Sequence, residues 1–147
     1  MRTICVRRNG LIHLETSMRH KYTLLGPCPS KKSRHRAGKT KTGKLYIYKD
    51  PAYSKWELMA TNEFFIQRAE LGEPPISGEI NLACIIHRAD RRKADLTNME
   101  DSIQDALQGA GVIDNDAQVV SQDGSRLYRG VGVANERIEI IISDPKG

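Results

Sequence analysis

Between residues 90 and 118 carboxylates and cations gather around a stretch with helical periodicity. Asp90-Arg-Arg-Lys-Ala leads into Asp95-Leu-Thr-Asn98, then through Asp105-Ala-Leu-Gln-Gly to Asp114-Asn-Asp116-Ala-Gln118. Carboxylate oxygens are the donors that a small hard cation such as Mg²⁺ selects, and such an ion keeps several waters while taking one or two protein carboxylates plus substrate phosphate. Arg91, Arg92 and Lys93 stand beside these acids, where they would meet phosphate charge. The pattern suits metal-dependent chemistry on a phosphodiester. An acid-and-base segment before a helix is also how an ordinary solvated surface reads, so the elements that position these residues matter.

A strand over residues 78–87 begins with alternation and becomes wholly apolar, as a strand entering the centre of a sheet does, and it delivers the chain to the acidic segment. Asp95 or Thr97 caps the next helix, over 98–108. There Met99, Ile103, Ala106 and Leu107 form one apolar stripe, Asp101 and Asp105 lie on another face, and Gly109 and Gly111 end it. Upstream, Asp50-Pro51 opens a longer helix, because an aspartate side chain caps free amides and proline at the first helical position gives up no bond. It runs to about Leu71, where Gly72 and Pro74-Pro75 stop it. Tyr53, Trp56, Leu58, Met59, Phe64, Phe65 and Ile66 recur along it at near-helical spacing, which places Trp56 in the core instead of on a base-stacking surface.

The first residues alternate over 3–8, reach Asn9-Gly10, the dipeptide that best tolerates the positive φ of a two-residue turn, and leave over 11–15; this is a hairpin. Short strands are expected at 22–25, 45–48 and 119–120, and a longer one at 137–142. Between the first two of these lies a basic loop over 27–44, broken by Gly26-Pro-Cys-Pro-Ser30 and without apolar periodicity from Lys31 onward, which is expected to be mobile. No internal repeat is present. The fold class is α/β of the α+β kind: a mixed β-sheet with two main helices, in a single domain spanning 1–147.

Residues 1–49 hold 13 Lys and Arg against one acid, Glu15, while the remainder holds 10 bases and 17 acids. A basic half suited to nucleic acid thus precedes an acidic half suited to a cation. Lys31, Lys32, Arg34, Arg36, Lys39 and Lys41 of the loop, with Arg91, Arg92 and Lys93, are the candidate phosphate contacts, and binding through them should weaken steeply with salt. Cys5, Cys28 and Cys84 are odd in number and far apart; they are expected reduced and packed as small hydrophobes, not as a Zn²⁺ site. The start is polar and basic, unlike a secretory leader, and no apolar run approaches the roughly 20 residues of a membrane span, so a cytoplasmic protein of a bacterial or phage-infected cell is expected. His13, His20, His35 and His87 make no nucleophile-and-base pattern, and Asp114-Asn-Asp116 lacks the glycine and distal glutamate of an EF-hand.

The sequence Asp90-Arg-Arg-Lys-Ala-Asp95-Leu-Thr-Asn98, Asp105-Ala-Leu-Gln-Gly-Ala-Gly111 at helical distance after it, and Asp116-Ala-Gln118-Val-Val resemble the RusA family of Holliday junction resolvases, crossover-junction endodeoxyribonucleases common in phages and prophages. A weaker likeness covers Pro29-Ser30-Lys31-Lys32 and Tyr53-Ser-Lys-Trp56. The resemblance implies a mixed α/β fold, a homodimer, and Mg²⁺-dependent nicking of symmetrically related strands in four-way DNA, with Mn²⁺ as a substitute ion. The family pattern is Asp-x-Asp-Asn followed one turn later by lysine; here Thr97 holds the place of the second acid and Asp101 that of the lysine. Positions four apart share a helix face about 5–6 Å from one another, so a carboxylate at 101 reaches much the same space as one at 97. On this reading Asp95, Asp101 and Asp116 hold the metal, Asn98 orients a ligand or water, Lys93 replaces the missing lysine, and Asp114 or Glu100 serves a second shell or a second ion. A branched-DNA-binding protein without catalysis is the alternative. Base reading is not expected; the cations would grip phosphates and recognise shape. The apolar C-terminal strand and the first hairpin are the candidate dimer surfaces.

Overall fold

A computed structural model of the chain describes residues 2–8 and 11–145, with side chains from Met18 onward. β1 (Arg2–Arg8) and β2 (Leu11–Ser17) pair antiparallel, from Arg2↔Ser17 to Arg8↔Leu11. The expected hairpin therefore forms, although its turn, Asn9-Gly10, lies outside the described residues. Next come β3 (Arg19–Leu25), the short ribbon of β4 (His35–Lys39) and β5 (Leu45–Lys49), and helix α1 (Pro51–Leu71). β6 (Ile80–Arg88) leads to helix α2 (Leu96–Gly109), followed by β7 (Val119–Ser121), β8 (Arg126–Arg129) and β9 (Arg137–Ser143).

The main sheet runs β3-β9-β6, with β7 and β8 sharing the far side of β6. β9 is antiparallel to both neighbours, whereas β7 and β8 are parallel to β6, β7 beside its start and β8 beside its end. Alternation decides which face is covered: Leu82, Cys84 and Ile86 of β6, Ile138, Ile140 and Ile142 of β9, and Tyr22 and Leu24 of β3 are buried in one cluster with Trp56, Ala60 and Phe64 of α1 and Met99, Ile103, Ala106 and Leu107 of α2. Both helices therefore lie on one face of the sheet. A buried hydrogen bond of 3.1 Å from Tyr53 Oη to Ser102 Oγ joins them. The helix boundaries follow the chemistry expected of them: the Asp50 carboxylate accepts from Ala52 N, Pro51 is the first helical residue, and Gly72 ends α1 in the left-handed region at φ 66°.

Three points of the sequence reading are corrected. The stretch after Lys31 is not an irregular loop, since Lys31–Arg34 forms a 3₁₀ turn capped by Ser30 and residues 35–39 pair with 45–49 from His35↔Lys49 to Lys39↔Leu45; pairing with β5 overrides its lack of apolar periodicity. Of the apolar residues on α1, Leu58, Met59, Phe65 and Ile66 are exposed, because only the stripe of Tyr53, Trp56, Ala60 and Phe64 reaches the sheet. β8 was not foreseen: Arg126–Arg129 is too polar to read as a strand. β9, one of the candidate dimer surfaces, is paired on both sides by β3 and β6 and so has no free edge. The other candidate surface, the first hairpin, has no described side chains. Cys84 is buried and Cys28 packs partly buried against the core, both unpaired, as expected; the side chain of Cys5 lies outside the described residues. No helix among them is long and apolar enough to cross a membrane.

Candidate active site

The chain leaves β6 through a turn that its own charges hold. Asp90 Oδ1 accepts from Arg88 Nε at 2.8 Å and from Arg92 N at 3.0 Å, and the Arg92 amide, followed by Arg88, holds its carboxyl below the usual carboxylate range. Asp95 then caps α2. One carboxylate oxygen accepts from Thr97 N at 3.0 Å and the other from Asn98 Nδ2 at 2.8 Å. Asn98 thus spends its amide on orienting Asp95. Both Asp95 and Lys93 are exposed, beside a helix N-terminus that favours negative charge.

Asp105 faces the other way, toward the 3₁₀ turn. Lys31 Nζ lies 3.1 Å from Asp105 Oδ2, and its pKa is raised chiefly by that hydrogen bond, with the charges of Asp105 and Asp101 adding. Arg36 Nε is paired with Asp50 Oδ2 at 3.1 Å. Of the cations singled out for phosphate, Lys32, Lys39, Lys41, Arg91 and Lys93 are exposed, Arg34 is half-buried, and Lys31, Arg36 and Arg92 reach solvent from within ion pairs.

Asp116 lies beyond the opposite end of α2. After the buried Val112-Ile113, Asn115 caps the 3₁₀ turn Asp116–Gln118. Gln118 fastens this loop from both sides: its Oε1 accepts from Asp114 N at 2.7 Å and Asn115 N at 2.9 Å, while its Nε2 donates to Ile76 O at 2.8 Å and Gly78 O at 2.9 Å. Asp114 and Asp116 are left exposed. The 14 residues of α2, at about 1.5 Å each, place about 21 Å between the Asp95 end and the Asp116 end. Accordingly, among the described residues no group of three or more His, Cys, Asp and Glu is close enough to hold a metal ion.

Two features were not legible beforehand. Glu100 is only 3 % exposed; burial pushes its pKa up, against hydrogen bonds from Ser125 and Gln122 that favour the charged form. A carboxyl with a raised folded-state pKa contributes its full stability below the ordinary value of 4.5 and loses it as pH rises through the folded value. Glu100→Gln keeps the shape without the charge, so it should raise Tm by a few degrees at pH 8 and change it little at pH 4, measured by thermal denaturation in EDTA. A Tm at pH 8 equal to wild type or below it would count against a buried, penalised charge.

The second feature is a basic, aromatic surface at the end of β6. Arg91, Arg126, Tyr128 and Arg129 line one shallow pocket. Arg126 sits 4.6 Å above the Tyr128 ring, which stacks on His87 at 5.1 Å, and His87 Nε2 lies 3.0 Å from Glu139 Oε2. Only the unexpected strand β8 brings these residues beside Arg91, so spacing in the sequence carried no signal of it.

Residues 27–143 match the family model described as Endodeoxyribonuclease RusA. Among curated proteins, none matches the chain. The matched segment takes in both helices, the β4–β5 ribbon and all the acids and cations placed above, leaving out β1 to β3. The chain belongs to the endodeoxyribonuclease RusA family.

Proposed function

We propose that the chain is a structure-selective endodeoxyribonuclease that resolves Holliday junctions or related branched DNA by Mg²⁺-dependent phosphodiester hydrolysis, with Mn²⁺ as a substitute, and that it acts as a homodimer. Family membership supports the nuclease chemistry and the branched substrate. The observation that carries the arrangement is the position of Asp95 and Asp116 at opposite ends of α2. Carboxylates that share a Mg²⁺ ion each stand about 2 Å from it, which two groups a helix length apart in one chain cannot do. A two-fold copy set across α2 would bring Asp95 of one protomer to Asp116 of the other, and would do so twice, because such an interface is self-complementary. Two matched sites also suit a junction whose strands are cut in pairs.

The donors suit a hard cation. Each Asp95 oxygen makes one hydrogen bond and keeps a second lone pair, Asp116 is exposed, and Asp101 supplies a third carboxylate. When bound, such an ion supplies Lewis acidity at a phosphoryl oxygen and acidifies water. The chain's own groups do the rest. Asn98 holds the Asp95 carboxylate in one orientation; Lys93, Arg91 and Arg92 neutralise charge on the phosphate; Lys32, Lys39 and Lys41 hold the DNA arms by backbone contacts that read shape.

A labelled four-way junction and a matched duplex, incubated with Mg²⁺, Mn²⁺ or EDTA, test this beside Asp95→Asn and Asp101→Asn. Metal-dependent paired nicks in the junction, lost in both variants, are expected. Mg²⁺ or Mn²⁺ should also raise the Tm of wild type but not of Asp95→Asn, because a ligand that binds only the folded protein stabilises it; a Tm indifferent to both ions speaks against the site. Thr97 and Asp101, together with the scattered acids, favour a second reading, a junction-binding protein that no longer cuts. Tight junction binding without cleavage under any metal would establish it.

A further inference from the structure

The β4–β5 ribbon stands out from the body of the protein: every residue of β5 is exposed, and in β4 only Gly38 is partly covered. A two-stranded ribbon with no face on a core is marginal in water, yet this one carries Leu45, Tyr46, Ile47 and Tyr48 in solvent. Its charges have one sign: Arg36 and Lys49 are paired at its base with Asp50 and Glu57, each at 3.1 Å, and the exposed Lys39, Lys41 and Lys44 stand beyond them with no acid in the ribbon. Directly opposed residues of an antiparallel pair share a face, so the register Arg36↔Tyr48 and Gly38↔Tyr46 puts both tyrosines beside Arg36. Their rings lie 5.6 Å apart. Gly38 is not in the left-handed region, so its backbone does not require glycine; a Cβ at position 38 would lie 2.7 Å from the Tyr46 Cζ and hydroxyl, so any side chain there would displace that ring. The ring lies over the bare Gly38 backbone, and Tyr46 nevertheless stays 48 % exposed.

We propose that the Tyr46–Tyr48 face is a stacking site for unpaired nucleobases, those left unstacked where DNA branches. The inference rests on the branched-DNA reading above and extends it from phosphate grip to base contact. Charge complementarity selects the occupant: the exposed Lys39, Lys41 and Lys44 attract a polyanion and repel a second ribbon of the same kind. An aromatic ring offers its face to any base, so recognition follows exposure of the base and not its sequence. The flanking cations would hold the phosphates on either side.

The test uses the full chain with a four-way junction carrying 2-aminopurine at the branch point, and an uninterrupted duplex carrying it internally. Wild type should bind the junction in preference and change the emission of the branch-point base only. In Tyr46→Leu/Tyr48→Leu, which keeps apolar bulk and removes the π faces, junction binding should weaken about tenfold or more and the emission change should vanish, with duplex binding within about twofold of wild type. Tyr46→Phe/Tyr48→Phe should retain both signals, and Gly38→Val, which displaces the Tyr46 ring, should fall between. Equal losses on junction and duplex, or no loss in the leucine variant, would overturn the stacking site. So would a change of oligomeric state in the leucine variant by light scattering, which would make this face a protein contact. A wild type without junction preference would remove the branched-DNA reading and the stacking site with it, whereas junction preference intact in the leucine variant removes the stacking site alone.

Discussion

Mixing Asp95→Asn protein with Asp116→Asn protein is expected to restore nicking that neither has alone. Each variant by itself should lose more than about a hundredfold in rate, since even groups that only support a metal ligand are worth about 10–100-fold. In the proposed dimer each site takes Asp95 from one protomer and Asp116 from the other. A mixed dimer therefore concentrates both substitutions in one site and leaves the second with two native aspartates. If subunits reassort freely, half of the dimers are mixed and each has one competent site, so about a quarter of the wild-type sites return. The product pattern should change as well: single nicks in place of paired cuts, read on a junction labelled on two strands. The prediction fails if the mixture stays inactive while size measurements show that subunits have exchanged. It also fails if Asp116→Asn cleaves as well as wild type, since Asp116 would then stand outside the chemistry.

That arrangement was not readable from spacing alone, and the reason is physical. The signals for α2 were strong: Met99, Ile103, Ala106 and Leu107 do form its buried stripe, Asp95 does cap it, and α1 begins after Asp50 and ends at Gly72 as its caps dictate. Acids close in sequence nevertheless become distant when a helix intervenes, so the constellation 95, 101 and 116 reads as one cluster along the chain and as two ends and a flank in space. The ribbon was missed for a different reason. Lys31 to Lys44 has no apolar periodicity because both faces of β4 meet solvent, and its hydrogen bonds come from β5, a pairing that composition does not record. Gln118 shows the converse. In the motif Asp116-Ala-Gln118 it has no evident chemical role, yet its four hydrogen bonds fix where that aspartate stands.

The exchange of roles between positions 97 and 101 yields the other large effect. Asp101→Asn alone should reduce nicking more than about a hundredfold, as for the other ligands, whereas Thr97→Asp/Asp101→Lys should return activity to within about tenfold of wild type. The two positions share a helix face about 5–6 Å apart, and Thr97 is exposed, so a carboxylate there meets no steric obstacle. The fold should tolerate the pair. The first turn of α2 holds no acid, and an aspartate placed in it gains roughly 0.3–1 kcal/mol from the helix N-terminus. The new lysine lies one turn before Asp105, an i,i+4 pair worth about 0.2–0.5 kcal/mol, which offsets its repulsion of Lys31, now drawn to both Asp101 and Asp105. Junction cleavage with Mg²⁺ and with Mn²⁺ decides among the alternatives. A dead single variant and an active double variant mean that the carboxylate has moved along the helix and the metal has followed it. A double variant that cuts where wild type does not would mean that Thr97 and Asp101 retired the site while the surrounding machinery stayed in place. Asp101→Asn as active as wild type would remove Asp101 from the metal and leave Asp95 and Asp116 as its carboxylates.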